Sequence, residues 1–184
     1  MTGMFDPVPS STKAARVTAV PLFKPIIPAP ADAPPPPPNH PKLGDPAITW
    51  RYVDAAGRLL GVVYRFDLPG GGKEIRPLIF AAHEKFGRQW TWRGFPRPRP
   101  LYGLDRLANR PNAPVIICEG EKAADAAERL LPDYVAVTSQ GGAKAAKAAD
   151  WSPLKNRNVT IWPDADAAGE AYARDVIEML AKLG

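Results

Sequence analysis

The chain has 184 residues, enough for one or two small domains, with a net charge of +5 and a pI near 9.4. Its single cysteine, Cys118, excludes an internal disulfide framework and a cysteine-based zinc site. No run of roughly 18 apolar residues exists to cross a membrane, and no apolar stretch near the start reads as a signal peptide, so a reducing, cytoplasmic setting without a membrane partner is expected. Mild basicity suits an acidic partner such as nucleic acid, and suits an ordinary basic protein equally well.

The 23 prolines are unevenly placed, with a dense stretch in residues 1–46 that includes an unbroken run at 34–38. Proline fixes φ and removes a backbone donor, so residues 1–46 are expected to be a disordered, proline-rich tail with extended character. Residues 47–110 are read as a β-rich subdomain. Residues 48–53 carry strand-type alternation, residues 54–57 a turn, and residues 59–66 a second strand. A glycine-rich break follows at 70–72, then a third strand at 74–80, placed at an edge by Pro77. Lys73 after three glycines does not make a nucleotide-binding P-loop, because Glu74 stands where Ser or Thr is needed.

From residue 86 to 110, arginines alternate with aromatic residues. Arg88, Trp90, Trp92, Arg93, Arg97 and Arg99 form a candidate nucleic-acid-binding segment, since guanidinium groups pair with phosphates and flat rings stack on unpaired bases. The alternative is that the tryptophans pack beneath the meander and the arginines face water.

Residues 113–184 change to an α/β pattern. Strands are expected at 115–118, 134–138 and 159–162, with helices at 121–131, 143–150 and about 167–182. The βαβαβα order with short links predicts a parallel sheet flanked by helices. Ligands of such sheets bind beyond the carboxyl ends of the strands. There Glu119 ends one strand, and Asp164 and Asp166 follow another. Clustered carboxylates repel unless a cation lies between them, and an all-oxygen donor set suits Mg²⁺ or Mn²⁺. Asp166 is also placed to cap the next helix, and Glu121 to interact with a helix dipole. Lys122, Gly141, Gly142 and Lys144 are candidate nucleotide-phosphate contacts, with Lys147 beside them.

Three segments taken together, residues 118–126, 138–143 and 162–169, resemble the Toprim domain, in the form found in DNA primases and primase-helicases of phages and plasmids. The resemblance spans roughly residues 48–184. It implies a Toprim-like parallel sheet and a metal-dependent nucleotidyltransferase that synthesises primers on single-stranded DNA from nucleoside triphosphates. Glu119, Asp164 and Asp166 would then be catalytic and metal-holding, and a replicative helicase is an implied partner. The motifs end after the third helix, without the further strand and acidic position of that family, so the domain is expected to be truncated at its C-terminal side and to act within a larger chain or complex. A Toprim nuclease and a non-catalytic adaptor for single-stranded DNA or the replication machinery are the alternatives.

Overall fold

Apolar residues alternating along 48–53 and 59–67 require one face of each strand to be covered, and the chain meets this by pairing them. In this computed structural model, which describes residues 23–142 and 145–184, β1 (Phe23–Pro25), β2 (Ile48–Val53), β3 (Leu59–Asp67), β4 (Lys73–His83) and β5 (Gly87–Thr91) form one antiparallel sheet. Its order is β1-β4-β3-β2, with β5 also on β4. Pro77 sits in the half of β4 that pairs only with β3, while β5 and β1 join further along. A residue with no N–H therefore breaks few ladder bonds there.

The second sheet has four strands in the order β6-β8-β7-β9: β6 (Leu101–Tyr102), β7 (Val115–Cys118), β8 (Val135–Ser139) and β9 (Val159–Trp162). It is mixed rather than wholly parallel. β7 runs parallel to β8 and β9, but β6 pairs antiparallel with β8 and closes one edge. The two residues of β6 were too short a signal to read as a strand.

All four residues of β7 are buried, because helices cover both of its faces. On one face Ile116 and Cys118 pack with Ala124 and Ala127 of α2 (Glu121–Leu130). On the other, Val115 and Ile117 share a core with Tyr172 and Val176 of α3 (Ala167–Ala181). A short helix, α1 (Leu104–Asn109), links β6 to β7. No helix among the described residues is long and apolar enough to cross a membrane.

Two expectations need correction. Of the helix expected at 143–150, the described residues 145–150 form only a 3₁₀ turn at Ala146–Ala148. Arg99 pairs with the backbone there, its N–H donating to the Ala148 carbonyl and its carbonyl accepting from Asp150, and Trp151 Nε1 donates to the Ala146 carbonyl. These bonds claim groups that a helix would need. Nor are residues 23–46 disordered. β1 pairs with β4, Ala29 N–H donates to Leu59, and the proline run lies across β3 and β5. Proline gives up its donor but keeps a carbonyl that side chains can reach. Residues 1–22 of the expected tail lie outside the described residues.

Gly169 fixes how α3 starts. A Cβ there would lie 2.2 Å from the Asp164 carbonyl oxygen and 2.8 Å from its nitrogen, both rigid backbone atoms. Gly169→Ala should therefore destabilise the chain by about 1–3 kcal/mol, as overpacking does. The check is the midpoint of urea unfolding, which should fall without a change in slope.

Candidate functional site

β7 and β9 are neighbours in register, Cys118 beside Trp162, so the segments that follow them leave the sheet side by side. Glu119 and Asp164 both line the cleft that opens there. Its volume is about 570 Å³. Asp166 behaves differently from its expected partner. Its backbone is extended, but its Oδ1 accepts the Gly169 N–H at 2.8 Å and caps α3. Among the described residues, no three carboxylate, histidine or cysteine side chains come close enough to hold a metal.

The electrostatics still mark the cleft. Burial and then the charge of Asp164 push the Glu119 carboxyl above its ordinary range, with Asp166 adding to the shift and Lys73 and the Asp164 main chain opposing it. Glu119 Oε2 is buried without a hydrogen-bond partner among the described residues. An orphaned carboxylate oxygen facing a second carboxylate fits a hard divalent cation, which would satisfy both.

The opposite wall comes from the first sheet, and composition alone did not reveal it. Lys73 and Ile75 of β4, with Arg65 and Trp50 from β3 and β2, face the carboxylates. Arg65 and Ile75 are cross-strand partners, and Lys73 lies two residues away on the same face. That period-two pattern was the available signal, but nothing in the sequence said which face would meet the α/β half. Lys122 and Arg129 of α2 complete the cations. Gly120 precedes α2 in extended form with no side-chain cap, so the first turn opens onto the cleft. Gly141 and Gly142, at φ 110° and 67°, form the turn on its other side. Lys144 lies outside the described residues. Lys147 is bonded to Asp175 and Glu178 of α3, at 3.0 and 3.3 Å.

Glu121 is not a simple dipole partner. It is 8% exposed and accepts a 2.7 Å hydrogen bond from Tyr52 Oη of the first sheet. Burial raises its pKa, partly offset by that bond. One helical turn further, Asp125 accepts from Trp50 Nε1 and Tyr102 Oη, each at 2.8 Å. Glu128 then meets Arg110 at 3.3 Å and the Ala136 N–H at 2.8 Å.

The basic-aromatic segment is largely occupied by the chain itself. Trp90 Nε1 donates to the Pro34 carbonyl, and Trp92 meets Tyr64 and His40 edge-on. Arg88 pairs with Asp32, and Arg93 lies over the Phe23 ring. Arg99 donates to the Gln140 carbonyl beneath the glycine turn, while Arg97 is exposed. The structure thus places Arg88, Trp90 and Trp92 against residues 32–40, Arg93 against β1, and Arg99 behind the cleft.

A family model described as a domain of unknown function (DUF6371) matches residues 60–165, and the chain belongs to that family. No curated protein matches it. Among solved structures, it is similar to a chain in a structure of bacteriophage T7 lagging-strand DNA polymerase interacting with primase domains of two gp4 subunits bound to an RNA/DNA hybrid and dTTP. The identity is 17% and the TM-score 0.41, over 73% of this chain and 59% of that one, so this chain spans about three fifths of its length.

Two outcomes are expected of the site. A carboxyl whose pKa is raised on folding favours the folded state at low pH and opposes it as pH rises through the folded value. Glu119→Gln should therefore unfold at higher temperature than the wild type at pH 7 without metal, and the gain should vanish below the ordinary value of 4.5. Tyr52→Phe leaves the Glu121 carboxylate buried without its donor and should cost about 1–3 kcal/mol in denaturant unfolding.

Proposed function

We propose that the cleft is a Toprim-type nucleotidyltransferase site that takes nucleoside triphosphates and builds primers on single-stranded DNA in phage or plasmid replication, by itself or as part of a larger chain or complex. One observation carries the reading: the unpartnered oxygen of Glu119 lies with Asp164 at the β7/β9 edge, in a cleft whose facing wall is cationic. The Toprim resemblance of the same segments supports it.

Glu119 and Asp164 would hold Mg²⁺ or Mn²⁺, while Asp166 caps α3 beside them. When bound, the metal supplies charge neutralisation for the transferring phosphoryl group. Lys73, Arg65 and Lys122 bring positive charge from both walls, where phosphate oxygens would otherwise meet only carboxylates. The open first turn of α2 adds backbone N–H groups, which favour anions. With no cation at Glu119, its carboxyl, held above the ordinary range, would instead be the group suited to accept a proton from an attacking hydroxyl. Gly141 and Gly142 leave room for a nucleotide to approach the backbone.

The test is incubation of the purified chain with single-stranded DNA, labelled ribonucleotides and Mg²⁺ or Mn²⁺. Short labelled products should form and should fall about 100-fold or more in Asp164→Asn. Lys73→Ala should raise the nucleotide concentration needed roughly tenfold. Strand breakage without nucleotides would instead assign the carboxylates to a nuclease. Single-strand binding that ignores metal, with neither product, would leave a non-catalytic adaptor.

A further inference from the structure

Residues 34–38 are five consecutive prolines laid across the face of β3 and β5 that lies away from the cleft. Two side chains grip them. Trp90 Nε1 donates to the Pro34 carbonyl and Tyr64 Oη donates to the Pro37 carbonyl, each at 2.7 Å. The gripped carbonyls are three residues apart. A polyproline II helix has three residues per turn, so both oxygens leave the same side of the ligand. The two gripping side chains are backed by further rings. Trp92 meets Tyr64 edge-on at 5.1 Å and His40, just beyond the proline run, at 4.6 Å. Asp32, just before the run, pairs with Arg88 at 2.5 Å on the exposed surface.

A proline run offers carbonyls and apolar rings but no N–H. A surface that recognises it must supply the donors itself, from groups with flat apolar bodies. Tyrosine hydroxyl and tryptophan indole meet both needs, and the stiff ligand loses little entropy on binding. Covering the sheet would need only apolar contact. The two donors in register with one turn of the ligand go beyond covering.

We propose that Tyr64, Trp90 and Trp92 form a polyproline-recognition groove, filled in cis by the chain's own residues 34–38 and able to take the same run from a second copy of this chain. The second copy is the occupant the contacts specify, because its run carries the same carbonyl spacing and the same Asp32 for Arg88. A segment bound through such contacts within one chain can be exchanged between two. The cis strap wins in dilute solution through its high effective concentration. The groove is independent of the cleft and of the activity proposed for it.

The test uses the full-length chain with glycine in place of Pro34, Pro35, Pro36, Pro37 and Pro38, and a synthetic peptide with the sequence of residues 30–41. The Trp90 indole N–H, followed by ¹⁵N NMR, should lose its hydrogen-bonded shift in the glycine variant and regain it saturably with the peptide. A peptide with alanine at the five proline positions should not restore it. A folded variant that ignores the peptide, or one that keeps the native indole shift without it, overturns the proposal. A second measurement does not depend on that variant folding. In the otherwise native chain, Tyr64→Phe should speed solvent exchange of the Trp90 indole N–H about fivefold, because both donors hold one ligand. Unchanged exchange would show that the strap is not held as a single ligand, and would overturn the proposal even if the glycine variant proves unfolded.

Discussion

One stripe of acids on α2 joins the two sheets, and the cleft exists because of it. Glu121, Asp125 and Glu128 are spaced four and three apart, which puts them on one face of a helix. That face meets Tyr52, Trp50 and Tyr102 in turn, then Arg106 and Arg110 of the α1 region. A buried carboxylate is stable only while its donors stay in place. Sliding one sheet against the other would strand the buried Glu121 and take the Trp50 donor from Asp125. The stripe therefore sets the register between the sheets, and Glu119, two residues ahead of it, inherits that position.

The cleft divides its charges between two walls for a topological reason. β7 is flanked by β8 on one side and β9 on the other, so the connections leaving β7 and β9 diverge. An opening at such a switch point is where α/β sheets bind ligands. Strand ends supply Glu119 and Asp164 there, and burial, then the charge of Asp164, holds the Glu119 carboxyl above its ordinary range. The cations come from the other sheet, where Arg65 and Lys73 project from strands whose opposite face is buried. A divalent cation would answer the carboxylate wall, and the phosphate oxygens of a ligand would answer the cationic one.

Proline played two parts that composition could not separate. The same property that bars proline from ladders and helices, a missing N–H with φ already fixed, makes a proline run a stiff ligand with little entropy left to lose. What the run needed was a set of donors far along the chain, and Tyr64 and Trp90 provide them. In the basic-aromatic segment, Arg88 and Trp90 bond to Asp32 and Pro34 of this stretch.

Some features were decided locally and were legible in the residues. The apolar runs of β7 and β9, the carboxylates after them and the cap from Asp166 to Gly169 depend on neighbours within a few positions. Backbone sterics and short hydrogen bonds are enough to specify them. Tertiary structure decided the rest. Tyr52 and Glu121 are 69 residues apart, and Trp90 and Pro34 are 56 apart. An alanine-rich stretch that favours a helix became a 3₁₀ turn because Arg99 and Trp151 claimed its backbone. Which face of β3 and β4 would meet the carboxylates, and so which cations would line the cleft, depended on how two sheets dock. Residue order sets the alternation along each strand, but the choice between its two faces is made only by what packs against them.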